Sequence, residues 1–135
     1  MKKDIYLPQV KDVAVAIVSE INELSETEWN VYLLNLKNEM ITQVLVSSKG
    51  YLKFENGEEI RTTTLRHSLG NIKPNSFTKI EPIMEDVFGL HNEYWVSFFI
   101  DNTMYDKKFI FLAETIKQEN SIQIPLIEKF GILIN

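Results

Sequence analysis

The side chains able to do chemistry are few and scattered. His67 follows Arg66 in Thr62-Thr63-Thr64-Leu65-Arg66-His67. A histidine there is a candidate general base, and the arginine beside it a candidate anion contact. The competing reading is a strand-end pair that satisfies nearby carbonyls, and no neighbouring nucleophile motif favours catalysis. His91 sits in Leu90-His91-Asn92-Glu93. With His67 and Glu93 it is a candidate metal set, but the spacing matches no ligand pattern. Glu55, Glu58 and Glu59 lack the Asp/Asn-rich, glycine-centred spacing of a calcium loop and read as a solvated charge run. Asp101 and Asp106 are a candidate carboxylate pair for acid–base work, although turn chemistry already accounts for Asp101. No Gly-x-Ser-x-Gly, phosphate loop or dinucleotide fingerprint occurs. The sequence therefore predicts no catalytic residue, no metal and no cofactor.

The element that positions most of the remaining candidates is Tyr94 to Leu112, which reads as two strands joined by a tight turn. Aromatic and β-branched residues crowd both arms. Asp101-Asn102-Thr103 supplies the turn, because Asp and Asn tolerate positive φ. The central pair is either Asp101-Asn102 or Asn102-Thr103, and both choices leave each side chain on the same face. Tyr94, Val96, Phe98, Ile100, Tyr105, Lys107, Phe109 and Phe111 form the core face. Lys107 is its awkward member, and a place at the sheet margin would keep its ammonium wet. The other face holds Trp95, Ser97, Phe99, Asp101, Met104, Asp106, Lys108, Ile110 and Leu112, and is too apolar for an ordinary solvated face. Either a terminal segment or loop covers it, or Trp95, Phe99, Met104 and Ile110 form a partner-binding surface.

The chain has 135 residues, enough for one domain with a sizeable core. With 14 Lys and Arg against 19 Asp and Glu, the net charge is −5. That argues against nucleic acid, which calls for a basic face. There is no cysteine, so disulfides, thiol catalysis and thiolate metal sites are excluded. The absence also suits a reducing compartment. Ile5-Tyr6-Leu7 stops at Pro8, too short a run for a signal peptide or membrane span. The expectation is a cytoplasmic, non-membrane protein.

Met1 to Lys11 reads as an extended polar lead. Val13 to Val18 reads as a strand, with a helix extending to Glu26 as the alternative. Asn22 to Glu28 is a loop. Trp29 to Asn35 is a strand with Trp29, Val31 and Leu33 on one face and Asn30, Tyr32 and Leu34 on the other. Ile41 to Ser47 follows a polar turn and reads as its antiparallel partner, ending at Ser48-Lys49-Gly50. Tyr51 to Phe54 and Ile60 to Leu65 flank Asn56-Gly57, a strong hairpin signal, expected to be short and exposed. Ser68 to Asn71 and Lys73 to Ser76 are turn clusters. Phe77 to Pro82 is a strand whose alternation places Thr78 and Ile80 one way and Phe77, Lys79 and Glu81 the other. Pro82 confines it to an edge or an end. Glu85 to Glu93 is a loop, Glu114 to Asn120 a helical turn, and Ile122 to Ile134 closes a sheet margin.

About eight strands separated by turns predict an all-β fold. The reading is an antiparallel immunoglobulin-like β-sandwich of about 7–9 strands over residues 1–135, with a small β-barrel as the alternative. Strand count and the position of Trp29 favour the sandwich. Without cysteines it relies on packed aromatics: Trp29, Phe77, Tyr94, Phe98, Phe109 and Phe111. The leading functional expectation is a non-enzymatic module for contact with another protein or with itself. The second is a small-ligand or peptide binder using Arg66 and His67, which calls for a concavity beside Arg66. The third is a hydrolase-like enzyme, which needs a histidine close to a carboxylate or hydroxyl in a cleft.

Several runs resemble a family of short uncharacterised bacterial proteins. They are Asp12 to Val18, Val46 to Tyr51, Thr64 to His67, Glu93 to Phe98 and Tyr105 to Phe111. The likeness spans nearly the whole chain. Members are sometimes labelled as a phenylalanyl-tRNA synthetase subunit, but no ATP- or tRNA-binding motif of such an enzyme is present here. The resemblance supplies no catalytic residue.

Overall fold

A computed structural model describes residues 8–135. Most of the polar lead, including Ile5-Tyr6-Leu7, lies outside the described residues. Ten strands occur among the described residues: β1 (Val13–Ile21), β2 (Thr27–Asn35), β3 (Ile41–Lys53), β4 (Glu59–Arg61), β5 (Leu65–Ile72), β6 (Ser76–Ile83), β7 (His91–Ile100), β8 (Thr103–Phe111), β9 (Ile122–Gln123) and β10 (Phe130–Ile134). Short 3-10 turns lie at Glu85–Val87 and Gln118–Asn120. No helix among the described residues is long and apolar enough to cross a membrane.

The strands form two antiparallel sheets rather than a closed barrel. Sheet I has the order β6-β2-β1-β10-β9. Sheet II has the order β4-β3-β7-β8, and β5 pairs β3 along the same edge as β4. The inner faces meet in one core. Val13, Val15, Ile17, Val31 and Leu33 from sheet I pack with Val44, Val46, Tyr94, Val96, Phe98, Phe109 and Phe111 from sheet II. Fully burying a side chain of this size stabilises by about 1.5–3 kcal/mol. Tyr94 meets Phe111 edge to face at 6.1 Å, and Phe98 stacks on Tyr105 at 5.3 Å. At one end Trp29 packs edge to face on Phe88.

The central hairpin turns at Asp101-Asn102, because Ile100 pairs Thr103, and Asp101 has φ 55°. Lys107 lies on the edge strand β8 with its ammonium 5.1 Å from the Phe109 ring centroid, so it stays at the margin.

Several expectations need correction. β2 and β3 are not paired: they lie in different sheets, and Leu36 to Met40 crosses between them. Short-range polar turns do not distinguish a hairpin from such a crossing. β3 does not end at Gly50 but continues to Lys53. A Cβ on Gly50 would lie 3.2–3.3 Å from Leu90, Asn92 and Thr62, so this glycine answers close packing rather than a turn. Ser68 to Asn71 is part of β5, with Gly70 at φ +70° beside the register shifts of β3. The Asn56-Gly57 hairpin is short and exposed, and its loop is three residues, Glu55 to Gly57, with Phe54 and Glu58 bonded across its base.

The largest correction concerns β6. Its register shifts opposite Val31 and Tyr32, leaving Ile80 without a cross-strand partner. Such a bulge brings consecutive side chains toward one face. Ile80 is buried in the core, and Glu81, opposite the core residue Val31, reaches residues of sheet II. Simple alternation had put Glu81 on the face opposite Ile80, together with Phe77 and Lys79. Phe77, expected among the packed aromatics, is instead 41% exposed and packs edge to face on Tyr32 outside the core.

Candidate functional site

Paired strands align side chains in rows across a sheet, and residues directly opposite share a face. On the outer face of sheet II one row runs Arg66, Ser47, Trp95, Lys108, from β5 to β8. The next runs Ser68, Leu45, Ser97, Asp106. Leu45, Trp95 and Met104 are 53%, 44% and 50% exposed. Apart from Lys108, these two rows line a depression of about 430 Å³ together with Met104, Val46 and His67. Its floor is apolar, its polar lining is three serines with Arg66, His67 and Asp106, and Arg66 and Asp106 stand on opposite edge strands. The Lys108 ammonium lies 4.6 Å from the Trp95 ring centroid, within cation–π range.

Thus Trp95 and Met104 fall in the same depression as Arg66. Phe99 pairs Met104 at the end of this face and is half-buried, while Ile110 lies opposite Glu93 farther along β8. Neither lines the depression.

Arg66 and His67 both line this depression, but their side chains leave the strand on opposite faces. Successive residues of a strand point to opposite faces. Arg66 shares the outer row, whereas His67 lies opposite buried Val46 and meets Glu81, Nε2 to Oε1 at 2.7 Å. The same Oε1 accepts from the Ser48 hydroxyl at 2.9 Å, and Oε2 accepts from the Tyr94 hydroxyl at 3.0 Å. Burial, together with the charge and hydrogen bond of Glu81, pushes the Tyr94 phenol well above its ordinary pKa, so it stays a proton donor. Three groups of sheet II therefore close on one carboxylate of sheet I. A second depression, of about 320 Å³, opens beside it between Ser48, Leu65, Glu81 and Tyr94.

This cluster does place a histidine against a carboxylate beside a cleft. Among the described residues, however, no hydroxyl hydrogen-bonds His67: both nearby hydroxyls give their protons to Glu81. A serine activated for attack needs the base on its own proton. As arranged, the cluster can tie the two sheets together.

The other candidates stand apart. His91 Nδ1 accepts the backbone N–H of Ala113 at 2.9 Å, and its ring lies 5.6 Å from that of Tyr51. Glu93 is buried with Lys49 at 4.0 Å, and burial and the Glu93 charge raise the Tyr51 pKa. No group of three or more His, Asp or Glu among the described residues is placed to hold a metal. Glu59 pairs with Arg61 and Lys53, and Glu58 accepts from Asn56, within the exposed hairpin tip. Asp101 occupies the turn and Asp106 the outer depression, so they form no working pair. Glu81 is the residue that sequence reading missed. The signal available was a glutamate directly before a proline at a strand end, where regular pairing fails.

No protein-family model matches the chain, and no curated protein matches its sequence.

Proposed function

We propose that this chain is a non-enzymatic intracellular β-sandwich that binds another polypeptide through the outer face of sheet II. One observation carries the reading. Leu45, Trp95 and Met104 are exposed around one depression, and no segment among the described residues covers them. Contiguous exposed apolar surface rimmed by polar groups is characteristic of interaction sites. We read the order β6-β2-β1 facing β5-β3-β7-β8 as immunoglobulin-like, an architecture that recurs in recognition domains. The lack of cysteine supports an intracellular setting, and the net charge of −5 weighs against nucleic acid as the partner.

The test is affinity capture from native cells with wild-type and Trp95→Asp bait, read by mass spectrometry. The expected result is a small set of proteins recovered by the wild type and lost with the variant. Identical sets for both baits would remove the reading. A second reading, a small ligand or short peptide held beside Arg66, is supported by the size of the depression, about 430 Å³, which is within the range of small-molecule sites.

A further inference from the structure

We infer that the polypeptide bound on the outer face of sheet II is a second copy of this chain, in a face-to-face two-fold dimer. The inference rests on the reading above and names its partner.

The argument is charge self-complementarity. Arg66 stands on β5, at one edge of the depression, and Asp106 on β8, at the other. Both are exposed, and neither forms an ion pair among the described residues. Two intervening strands keep them apart within one copy. A two-fold axis in the plane of the face, running obliquely along the strands, exchanges the two edges. Arg66 of one copy then meets Asp106 of the other, twice, with Leu45, Trp95 and Met104 closed between them. Such an interface is isologous, the commonest kind in homo-oligomers. Lys108, held over the Trp95 ring, is carried into the interface with that ring.

Size and edge chemistry point the same way. Four strands about 4.8 Å apart and roughly seven residues long give a footprint on the order of 500 Å². Side-chain relief raises this toward the ~800 Å² per partner of ordinary stable interfaces. Edge-to-edge pairing at β8 is opposed by Lys107 on the inner face, a charge of the kind that blunts free edges. The face is thus the better route to association than the rim.

Sedimentation equilibrium over about 10–500 μM full-length protein tests the dimer, with far-UV circular dichroism confirming that each variant is folded. Wild type should sediment as a dimer and Trp95→Asp as a monomer. Arg66→Asp alone and Asp106→Arg alone should each weaken dimerisation at least about tenfold, a change of roughly 1.4 kcal/mol. An equimolar mixture of these two variants should recover the dimer, because each supplies the charge the other has reversed. A wild-type monomer at the highest concentration overturns the inference, as does a dimer indifferent to both charge reversals. A wild-type monomer accompanied by a captured, Trp95-dependent protein leaves the interaction reading standing with a different partner. A monomer with nothing captured removes both.

Discussion

The outer faces of the two sheets meet opposite fates. On sheet I, Ala14, Ala16, Val18 and Leu34 are fully buried beneath Ile124, with Tyr32, Leu36, Ile127 and Leu133 partly buried around them. The cover is the segment between β9 and β10, folded back by hydrogen bonds from Ile124 N–H to Lys129 and from Glu128 N–H to Ile124. Alanines leave room for that segment to approach closely. Gly131 allows the strand behind it to do the same, since a Cβ there would lie 2.3 Å from the Ile17 carbonyl oxygen. On sheet II the corresponding face carries Leu45, Trp95 and Met104, large and uncovered among the described residues. An apolar outer face therefore does not by itself mark an interface. What separates the two is whether the chain supplies its own lid.

The sharpest way to break this contrast is a pair of truncations. Ile124→Ala should cost about 3 kcal/mol in urea unfolding, because it empties a fully buried site. Trp95→Ala, compared with wild type at a concentration where both are monomeric, should cost less than about 1 kcal/mol, mostly the lost contact with Lys108. Equal losses would mean that the sheet II face is structural after all. Next in size is the carboxylate joining the sheets. Glu81→Ala leaves the buried Ser48 and Tyr94 hydroxyls without their acceptor and should cost about 2 kcal/mol. Glu81→Gln keeps an acceptor oxygen and should cost less. If the two variants unfold at the same urea concentration, the hydrogen bonds contribute nothing measurable, and the sheets are held by the apolar core alone.

The sequence made the strands legible wherever period-two alternation was uninterrupted. Trp29, Val31 and Leu33 face the core as their spacing predicts, and so do Tyr94, Val96, Phe98, Phe109 and Phe111. The all-β sandwich followed from these runs. Pairing was harder to read. A polar turn such as Lys37-Asn38-Glu39 looks the same whether the chain doubles back beside β2 or crosses to the other sheet. A bulge erases the alternation itself: one unpaired residue, Ile80, brings both Ile80 and Glu81 to the inner side, where period-two spacing had put them on opposite faces. The depression was half legible. Trp95, Met104 and Arg66 were singled out separately, on β7, β8 and β5, but their meeting depends on β3 lying between β5 and β7. Local pattern carries no record of that long-range order. The lid on sheet I was equally invisible, since Ile124 and Ile127 lie in a Pro125-containing stretch without strand or helix period.

The smallest expected effect sharpens the contrast at the rim of the covered face. Glu20 accepts from Tyr32 at 2.6 Å and from Asn30 at 2.8 Å, and Lys129, at the end of the lid, lies 2.6 Å from its other oxygen. Partial burial opposes its charge, yet the hydrogen bonds from Lys129, Tyr32 and Asn30 and the Lys129 charge outweigh it, so its pKa lies below the ordinary glutamate value. A carboxylate whose pKa is lowered by folding stabilises the folded chain above its unfolded pKa, and the contribution fades as pH falls through the folded value. Wild type should therefore be more stable than Glu20→Gln near neutral pH by less than about 1 kcal/mol, as for an exposed pair. The difference should shrink toward zero as pH falls below the unfolded glutamate value of about 4.3 and through the lower folded one. Urea denaturation of both proteins across that range reads the effect, and Lys129→Met should reproduce it in part. A gap that widens in acid would mean that the lid is held against the Glu20 charge rather than by it.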